Sequence, residues 1–260
     1  MEKKSNIRYK REQKIINYLK THKTATTNDL SKKLNVSEVT IRRAIKEFEK
    51  SNYIERFHGG IKLVQDISDH EMLYVNKDER FNSEKKAISK KTMNLIEDGD
   101  VIFVNSGSTT LNVLKELNNS KKNVQVITNN AMAPAVIDND NIELLILGGE
   151  YRSNSKSIVG ENAVEMASGI TVNKCILGIN GINANNGVFT AVYQEVGVNK
   201  QMIDSCDGEV IIVADHSKIG KLYNFKSANI TQIDILIIDE KYDKNEIEKI
   251  KSKGVKIITS

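Results

Sequence analysis

At 260 residues, with 39% apolar and 28% charged residues, the chain has room for one large or two modest domains and the composition of a water-soluble globular protein. It has no run near the ~18 apolar residues of a membrane span, and "MEKKSNIRYKREQ" has no apolar core, so neither a membrane segment nor a secretory signal is expected. The net charge of +4 is unevenly spread: residues 1–63 hold 16 Lys+Arg against 7 Asp+Glu, the remainder 22 against 27. A basic head on a mildly acidic body points to nucleic acid at one end, although a solvated lysine-rich surface would give the same count. Cys175 and Cys206 and the scattered histidines (His22, His58, His70, His216) lack metal-ligand spacing. Reduced thiols, a cytoplasmic location and neither metal nor cofactor are expected.

The first helical pattern covers about residues 8–21, with Ile15, Ile16 and Leu19 as its apolar stripe. In "TATTNDLSKKLNV", Thr27 is the expected N-cap, and Leu30 and Leu34 share a face. Asn35-Val36 interrupts the pattern, and Ser37 caps a third helix, "SEVTIRRAIKEFEKS". There Ile41, Ala44, Ile45 and Phe48 fall on one arc, while Val39, Arg43, Lys46 and Lys50 point the other way, with Thr40, Arg42 and Glu47 on the flanks. Small polar residues at the N-terminal end and cations along the outer face are what a DNA recognition helix needs: the former meet base edges, the latter hold phosphates or guanine. Alternation over Tyr53–Phe57 and over Ile61–Val64, with His58-Gly59-Gly60 between, predicts a hairpin wing carrying Arg56, His58 and Lys62 beside the DNA.

"VSEVTIRRAIKEFEKSNYIERFHGG" resembles the helix-turn-helix of the DeoR-type family of bacterial sugar-metabolism regulators, whose members read V-S-x-x-T-I-R-R-D-L and then R-x-H-G-G. Val36, Ser37, Thr40, Ile41, Arg42, Arg43, Arg56, His58, Gly59 and Gly60 match. Ala44 replaces the usual aspartate and Asn52 a common glycine, which leaves open what orients Arg42 and Arg43. The residues expected to meet operator DNA are Thr27, Ser37, Glu38, Thr40, Arg42, Arg43, Lys46, Arg56, His58 and Gly59.

Residues 65–80 are polar and aperiodic, and the domain boundary is placed there: a winged helix-turn-helix over 1–64, a linker, and an effector domain over 81–260. Ser83 is the expected cap of a helix whose inner face is Ile88, Thr92, Leu95 and Ile96. Strand-like runs follow at 101–105, 123–128, 142–147, 174–180, 209–214, 234–238 and 255–259, with helical patterns near 109–118, 131–138, 160–168, 192–205 and 244–253. Several strands are continuous apolar runs, as in parallel sheets covered on both faces, so a Rossmann-like α/β domain is predicted. Pro134 suits the first turn of its helix. Ligands in such sheets bind beyond the C-terminal strand ends. Those ends carry Ser106–Thr110, Thr128-Asn129-Asn130, Gly148–Arg152, Asn180–Asn183 and Asp215–Lys218. Their amides, hydroxyls and two cations suit a phosphorylated sugar or polyol, with "NSGSTT" built like a phosphate cradle at a helix start.

These loops also resemble the family's effector domain, which is similar in fold to ribose-5-phosphate isomerase. The resemblance implies that Ser106, Gly107, Ser108, Thr109 and Thr110 take the phosphate, with Thr128, Asn129 and Arg152 nearby, and that Asn180, Gly181 and Lys218 lie near the sugar. An isomerase needs a carboxylate base near the reacting C–H bond. Asn180 and Asn183 are amides where the related enzymes place acids, although Glu195 and Asp215 are near in sequence. The expectation is a regulator without catalytic residues, more a repressor than an activator, working as a dimer or tetramer on paired half-sites. The alternative is an isomerase-like enzyme fused to a DNA-binding domain.

Overall fold

The computed structural model describes residues 14–15, 18–19, 22, 24–50, 54–57, 60–63 and 81–260. The chain divides into two compact units, Met1–Asp69 and His70–Ser260. Asn52, the wing turn at His58 and Gly59, the segment 65–80 and parts of the first helical pattern lie outside the described residues.

In the smaller unit, Lys14, Ile15, Tyr18, Leu19 and His22 are helical. Strand β1 (Thr24–Ala25) precedes helices α1 (Thr27–Leu34) and α2 (Glu38–Lys50), which are followed by β2 (Ile54–Phe57) and β3 (Gly60–Leu63). The strands form an antiparallel sheet in the order β1-β3-β2. The cap of α1 is Thr26 rather than Thr27, because Thr26 and Asp29 form a capping box: Asp29 N donates to Thr26 Oγ1 at 3.1 Å, and Thr26 N donates to Asp29 Oδ2 at 3.0 Å. Asn35 closes α1 in the left-handed conformation, and Ser37 starts α2 by accepting from Thr40 N. Ile15, Leu19, Ala25, Leu30, Ile41, Ile45 and Ile61 are buried together in this unit. Each buried isoleucine or leucine contributes about 1.5–3 kcal/mol. Gly60 allows β1 to join the sheet, since a Cβ there would stand 2.5 Å from the Ala25 carbonyl oxygen.

The larger unit opens with α3 (Asn82–Thr92) and then alternates β4 (Val101–Val104), α4 (Ser108–Asn118), β5 (Val124–Thr128), β6 (Ile142–Ile146), a hairpin of β7 (Glu150–Arg152) and β8 (Ser157–Val159), and α5 (Glu161–Ser168). There follow β9 (Val172–Gly178), β10 (Gly181–Asn183), β11 (Gly187–Thr190), α6 (Tyr193–Asp204), β12 (Cys206–Ala214), β13 (Phe225–Ala228), β14 (Ile235–Ile238), α7 (Lys244–Lys251) and β15 (Lys256–Thr259). Seven strands make one parallel sheet in the order β15-β14-β12-β9-β4-β5-β6. Alternate residues serve opposite faces. Phe103, Cys175, Leu177, Ile212 and Leu236 face a core closed by Val198, Met202 and Ile247, while Ile102, Val104, Ile176, Ile211 and Val213 face Ile88, Leu111, Leu114 and Leu117.

The seven parallel strands are the seven predicted apolar runs. The helix expected over 131–138 is only a single 3-10 turn, Ala133–Ala135. Asn130 Oδ1 accepts from Met132 N and starts a turn, Pro134 sits at its beginning, and Asn118 Oδ1 takes the N–H groups of Asp138 and Asn139, so the helix has no room to extend. Ser83 does not cap α3: the cap position is Phe81, and Ser83 Oγ donates to Glu84 Oε2. The Lys241 ammonium, and then that hydroxyl, holds the Glu84 carboxyl down at about 2. Periodicity missed the β7–β8 hairpin and the separate sheet β10-β11-β13. Both are built from three- and four-residue strands, shorter than one readable repeat.

At the N-terminal edge of the sheet, Asp100 is buried against Lys174, 2.8 Å away, and accepts from Glu97 N at 2.7 Å and from the Asn173 amide. Burial alone would raise the Asp100 carboxyl, but the Glu97 amide, Lys174 and Asn173 together bring it below the usual carboxylate range. Its stabilising contribution is therefore complete above about pH 4 and is lost as pH falls through the lowered native value. Lys174→Met should cost the larger unit about 3 kcal/mol by leaving that carboxylate buried and unpaired, and should flatten the acid limb of its stability. Urea denaturation at pH 7 and at stepwise lower pH measures both effects, and an unchanged acid limb would remove the pair from this role.

Candidate functional site

On the smaller unit, α2 presents its outer face to solvent: Val39, Arg42, Arg43 and Lys46 are exposed, and Thr40 is half-buried. Ser37 Oγ and Thr40 Oγ1 lie 2.9 Å apart at the start of the helix. Glu38 Oε2 accepts from Arg42 Nη2 at 3.1 Å and from Thr27 Oγ1 at 3.4 Å. Arg42 thus finds a carboxylate one turn before it, and Ala44 is half-buried. Arg56 is exposed on β2, while His58 and Gly59 lie outside the described residues.

On the larger unit, β4 and β9 lie side by side where the strand order reverses, and α4 starts just beyond β4. This is the switch point at which open α/β sheets form their crevice. Buried Asn105 spans it. Its Oδ1 accepts from Gly178 N at 2.8 Å, and its Nδ2 donates to Gly178 O at 2.9 Å and to Asn199 Oδ1 at 3.1 Å. The loop then turns into α4 at Gly107, and no side chain caps the helix. Its first intrahelical bond is Leu111 N to Gly107 O at 2.9 Å, so the N–H groups of Ser108, Thr109 and Thr110 precede the ladder. The partial positive charge of a helix start is concentrated on such groups.

The neighbouring loops close around this start. Ser106 N donates to Asn129 Oδ1 at 2.7 Å, and Asn129 Nδ2 donates to Ile158 O at 3.0 Å. Ser106 Oγ donates to Ser155 O at 3.1 Å, in the turn between β7 and β8. Arg152 Nη1 donates to Ser155 Oγ at 3.1 Å, Ser155 and Ser157 share a hydroxyl bond at 2.6 Å, and Ser157 Oγ reaches Glu195 Oε1 at 3.4 Å. Thr190 Oγ1 lies 3.2 Å from Glu195 Oε2 and 3.3 Å from Asn180 Oδ1, which also accepts from Ala191 N at 3.1 Å. One polar chain thus runs from the helix start through Arg152 and Glu195 to Asn180. Among the buried polar atoms of the described residues without a protein partner are Asn130 Nδ2, after β5, and Asp215 Oδ2, after β12.

The expected site residues separate into groups. Ser106–Thr110, Arg152 and Asn180 join this network or its helix start. Thr128 and Asn129 hold it in place: Thr128 Oγ1 donates to Val104 O at 2.5 Å and accepts from Asn130 N. Gly181 serves packing, because a Cβ there would stand 2.4 Å from the Lys221 carbonyl oxygen. Lys218 lies in a short turn, His216–Lys218, after β12, and that turn is joined to β10 by an Ile182–Ile219 bridge. Asn183 belongs to the far end of the β10–β11 hairpin, paired with Gly187. Asn105 was read only as the first residue of the cradle loop, and Ser155, Ser157, Thr190 and Asn199 were not read from the sequence as site residues. The spacing of these four carries no motif. His216 Nδ1 faces Asp239 Oδ1 at 2.9 Å, and Ser217 Oγ bonds Asp215, so the two adjacent residues serve different carboxylates. Burial raises the thiols of Cys175 and Cys206. Among the described residues no cluster of His, Cys, Asp or Glu could hold a metal ion, and no helix is long and apolar enough to cross a membrane.

Residues 80–240 match the DeoR C terminal sensor domain, and residues 11–66 match the DeoR-like helix-turn-helix domain. The chain is 28% identical over 248 residues to the HTH-type transcriptional regulator GlpR of Haloferax volcanii, covering 95% of this chain and 96% of that one. It is 30% identical over 210 residues to the HTH-type transcriptional regulator IolR of Bacillus subtilis, covering 80% and 82%. It is 29% identical over 226 residues to the glycerol-3-phosphate regulon repressor of Escherichia coli, covering 86% and 88%. Among solved structures, ribose 5-phosphate isomerase A of Methanocaldococcus jannaschii aligns with a TM-score of 0.39 at 18% identity over 53% of this chain and 54% of that one.

Asn105→Ala would strand the half-buried N–H and C=O of Gly178 and loosen β4 from β9. The expected loss is about 3 kcal/mol in the denaturation transition of the larger unit. A loss below about 1 kcal/mol would show that the amide does not hold the switch point.

Proposed function

The chain belongs to the DeoR family of transcriptional regulators, and from that premise we propose that it represses genes of sugar or glycerol phosphate metabolism until a phosphorylated sugar or polyol occupies its sensor unit. The observation that carries the reading is the uncapped start of α4 at the switch point, ringed by Ser106, Ser155 and Arg152. A phosphate monoester fits such a place: the Ser108–Thr110 amides and the Ser108 and Thr109 hydroxyls donate to its oxygens, the helix start favours its charge, and Arg152 supplies the cation. The hydroxyl-bearing part of the ligand then extends toward Asn180, Gly181 and Lys218. There Glu195, already bonded to two hydroxyls, accepts from the ligand's own hydroxyls. A relative's name supports this class of ligand, since one is a glycerol-3-phosphate regulon repressor. The named relatives regulate transcription, so the carboxylate is read as a recognition group.

In the smaller unit, α2 enters the major groove. Ser37 and Thr40 meet base edges or the first phosphate, Arg43 contacts a base, and Lys46 holds a phosphate. Arg42 is aimed by Glu38, with Thr27 bracing that carboxylate from α1. The wing residues Arg56, His58 and Gly59 follow the backbone or the minor groove. Two copies on paired half-sites multiply the specificity of one short helix.

Arg43→Ala should weaken operator binding by about 1–3 kcal/mol and relax the preferred sequence at one position. Lys46→Ala should weaken binding evenly across sequences and lower the salt slope by about 1. Fluorescence anisotropy over a range of salt, with operator and scrambled duplexes, separates the two roles. If Arg43→Ala leaves both affinity and preference unchanged, it makes no base contact.

Ser108→Asp brings a carboxylate against the place assigned to the phosphate. In a thermal-shift screen of inorganic phosphate, glycerol 3-phosphate and hexose phosphates, the unmodified chain should be stabilised and the variant should not. Stabilisation surviving in the variant would move the phosphate elsewhere.

A further inference from the structure

Helix α3 is the first described element after the segment leading from the DNA-binding unit. It touches the sensor site near its middle, where buried Ser89 lies with its hydroxyl 3.4 Å from the carbonyl oxygen of Thr109, in the first turn of α4. Its starting residue, Phe81, has φ 56° and ψ 37°, a left-handed backbone that a phenylalanine keeps only where its surroundings hold it.

A closed ring of contacts surrounds Phe81. The phenyl ring meets the His216 imidazole edge-on, with centroids 4.7 Å apart and planes at 70°. His216 is fixed by buried Asp239: its backbone N donates to Oδ2 at 2.7 Å, and Nδ1 faces Oδ1 at 2.9 Å. Lys241 N donates to the same Oδ1 at 3.0 Å. Lys241 Nζ then reaches back to α3, 2.7 Å from Glu84 Oε1. The ring thus runs Phe81, His216, Asp239, Lys241, Glu84 and along α3 to Phe81.

His216 also opens the short turn that carries Lys218, and the far end of that turn is tied to the ligand-side strand β10. Gly220 N donates to Ile182 O at 2.8 Å, and Lys221 O packs against Gly181. At the other end of the turn, buried Asp215 caps it: Oδ1 accepts from Ser217 N at 3.1 Å and from the Ser217 hydroxyl, so the turn holds together as one short unit beginning at His216. A short turn held at both ends transmits a displacement of one end to the other.

We propose that the Phe81–His216 latch and helix α3 are the output of the sensor unit, so that a ligand held between α4 and the Lys218 turn shifts His216, releases or tightens Phe81, and resets the chain leading to the helix-turn-helix. The inference rests on the sensor reading given above for the position of the ligand. Coupling is reciprocal: if the latch responds to ligand and governs the DNA-binding unit, operator binding must act on the latch.

The chain contains no tryptophan, so Phe81→Trp in the full-length protein places a single indole in the latch. The operator is a duplex selected from random sequence by the unmodified chain, and the second titrant is inorganic phosphate at matched ionic strength. The expected result is that operator and phosphate shift the indole emission in opposite directions, and that both shifts vanish when His216→Ala is added. In the Phe81 background, His216→Ala should change operator affinity about 5-fold or more, and phosphate should no longer alter that affinity. Hydrogen exchange of amides 82–89 in the unmodified chain, with and without operator, gives the same reading if the tryptophan variant does not fold. An operator response without a phosphate response would keep the latch as output and discard the phosphate assignment. Indole emission and amide exchange that both ignore operator binding would overturn the proposal.

Discussion

The sensor unit depends on one junction, where β4 meets β9. Every strand of the seven-stranded sheet runs the same way, so every C-terminal end opens on the same side. Only at this junction do the following connections diverge to opposite faces and leave a crevice. Asn105 closes the backbone there. Its side-chain amide satisfies both the N–H and the C=O of Gly178 and so acts as one more rung of the ladder. A fixed crevice then gives meaning to the residues on its rim. Hydroxyls, amides and a guanidinium scattered over nearly a hundred positions of sequence become one polar chain, and an uncapped helix start faces the same crevice. Without the junction these are ordinary turn residues.

Much of this was legible in the amino-acid order. A parallel strand covered on both faces must be apolar throughout, so "VIFV", "EVIIVA" and "ILII" announced themselves, and the polar residues after them marked the rim. The recognition helix was equally plain, because a helix with Ile41 and Ile45 inward and Arg43 and Lys46 outward leaves little choice of face. What could not be read was set by contacts distant in sequence or by elements too short to show a period. The β7–β8 hairpin brings Ser155 and Ser157 to the site through three-residue strands. The pairing of Asn105 with Asn199 joins positions that no local pattern relates. The short turn at Ala133–Ala135 errs the other way: its alanines favour helix, but the asparagine-rich flanks satisfy the backbone first. Thr26 displaced Thr27 as a cap for a similar reason, since only Thr26 stands three residues before an acid that completes the box.

The Glu38–Arg42 pair shows how a helix can orient an exposed guanidinium from within itself. Arg42 sits one helical turn after Glu38, the spacing at which two helical side chains meet. The pair is exposed, so its value lies in orientation more than in stability. The same distinction applies in the sensor unit. Glu195 is tied to hydroxyls, while the buried Asp100–Lys174 pair sits at the opposite edge of the sheet and serves the fold alone.

The junction of β4 and β9 also has a consequence for how the protein is born. Asn105 and Gly178 lie 73 residues apart, so the centre of the sensor sheet cannot close until a long stretch of chain has left the ribosome. The strand pairs of the winged helix, by contrast, all lie within the first quarter of the chain. Domains form as units from the N-terminus during synthesis. The sequence of the DNA-binding unit is therefore complete well before the centre of the sensor sheet can close.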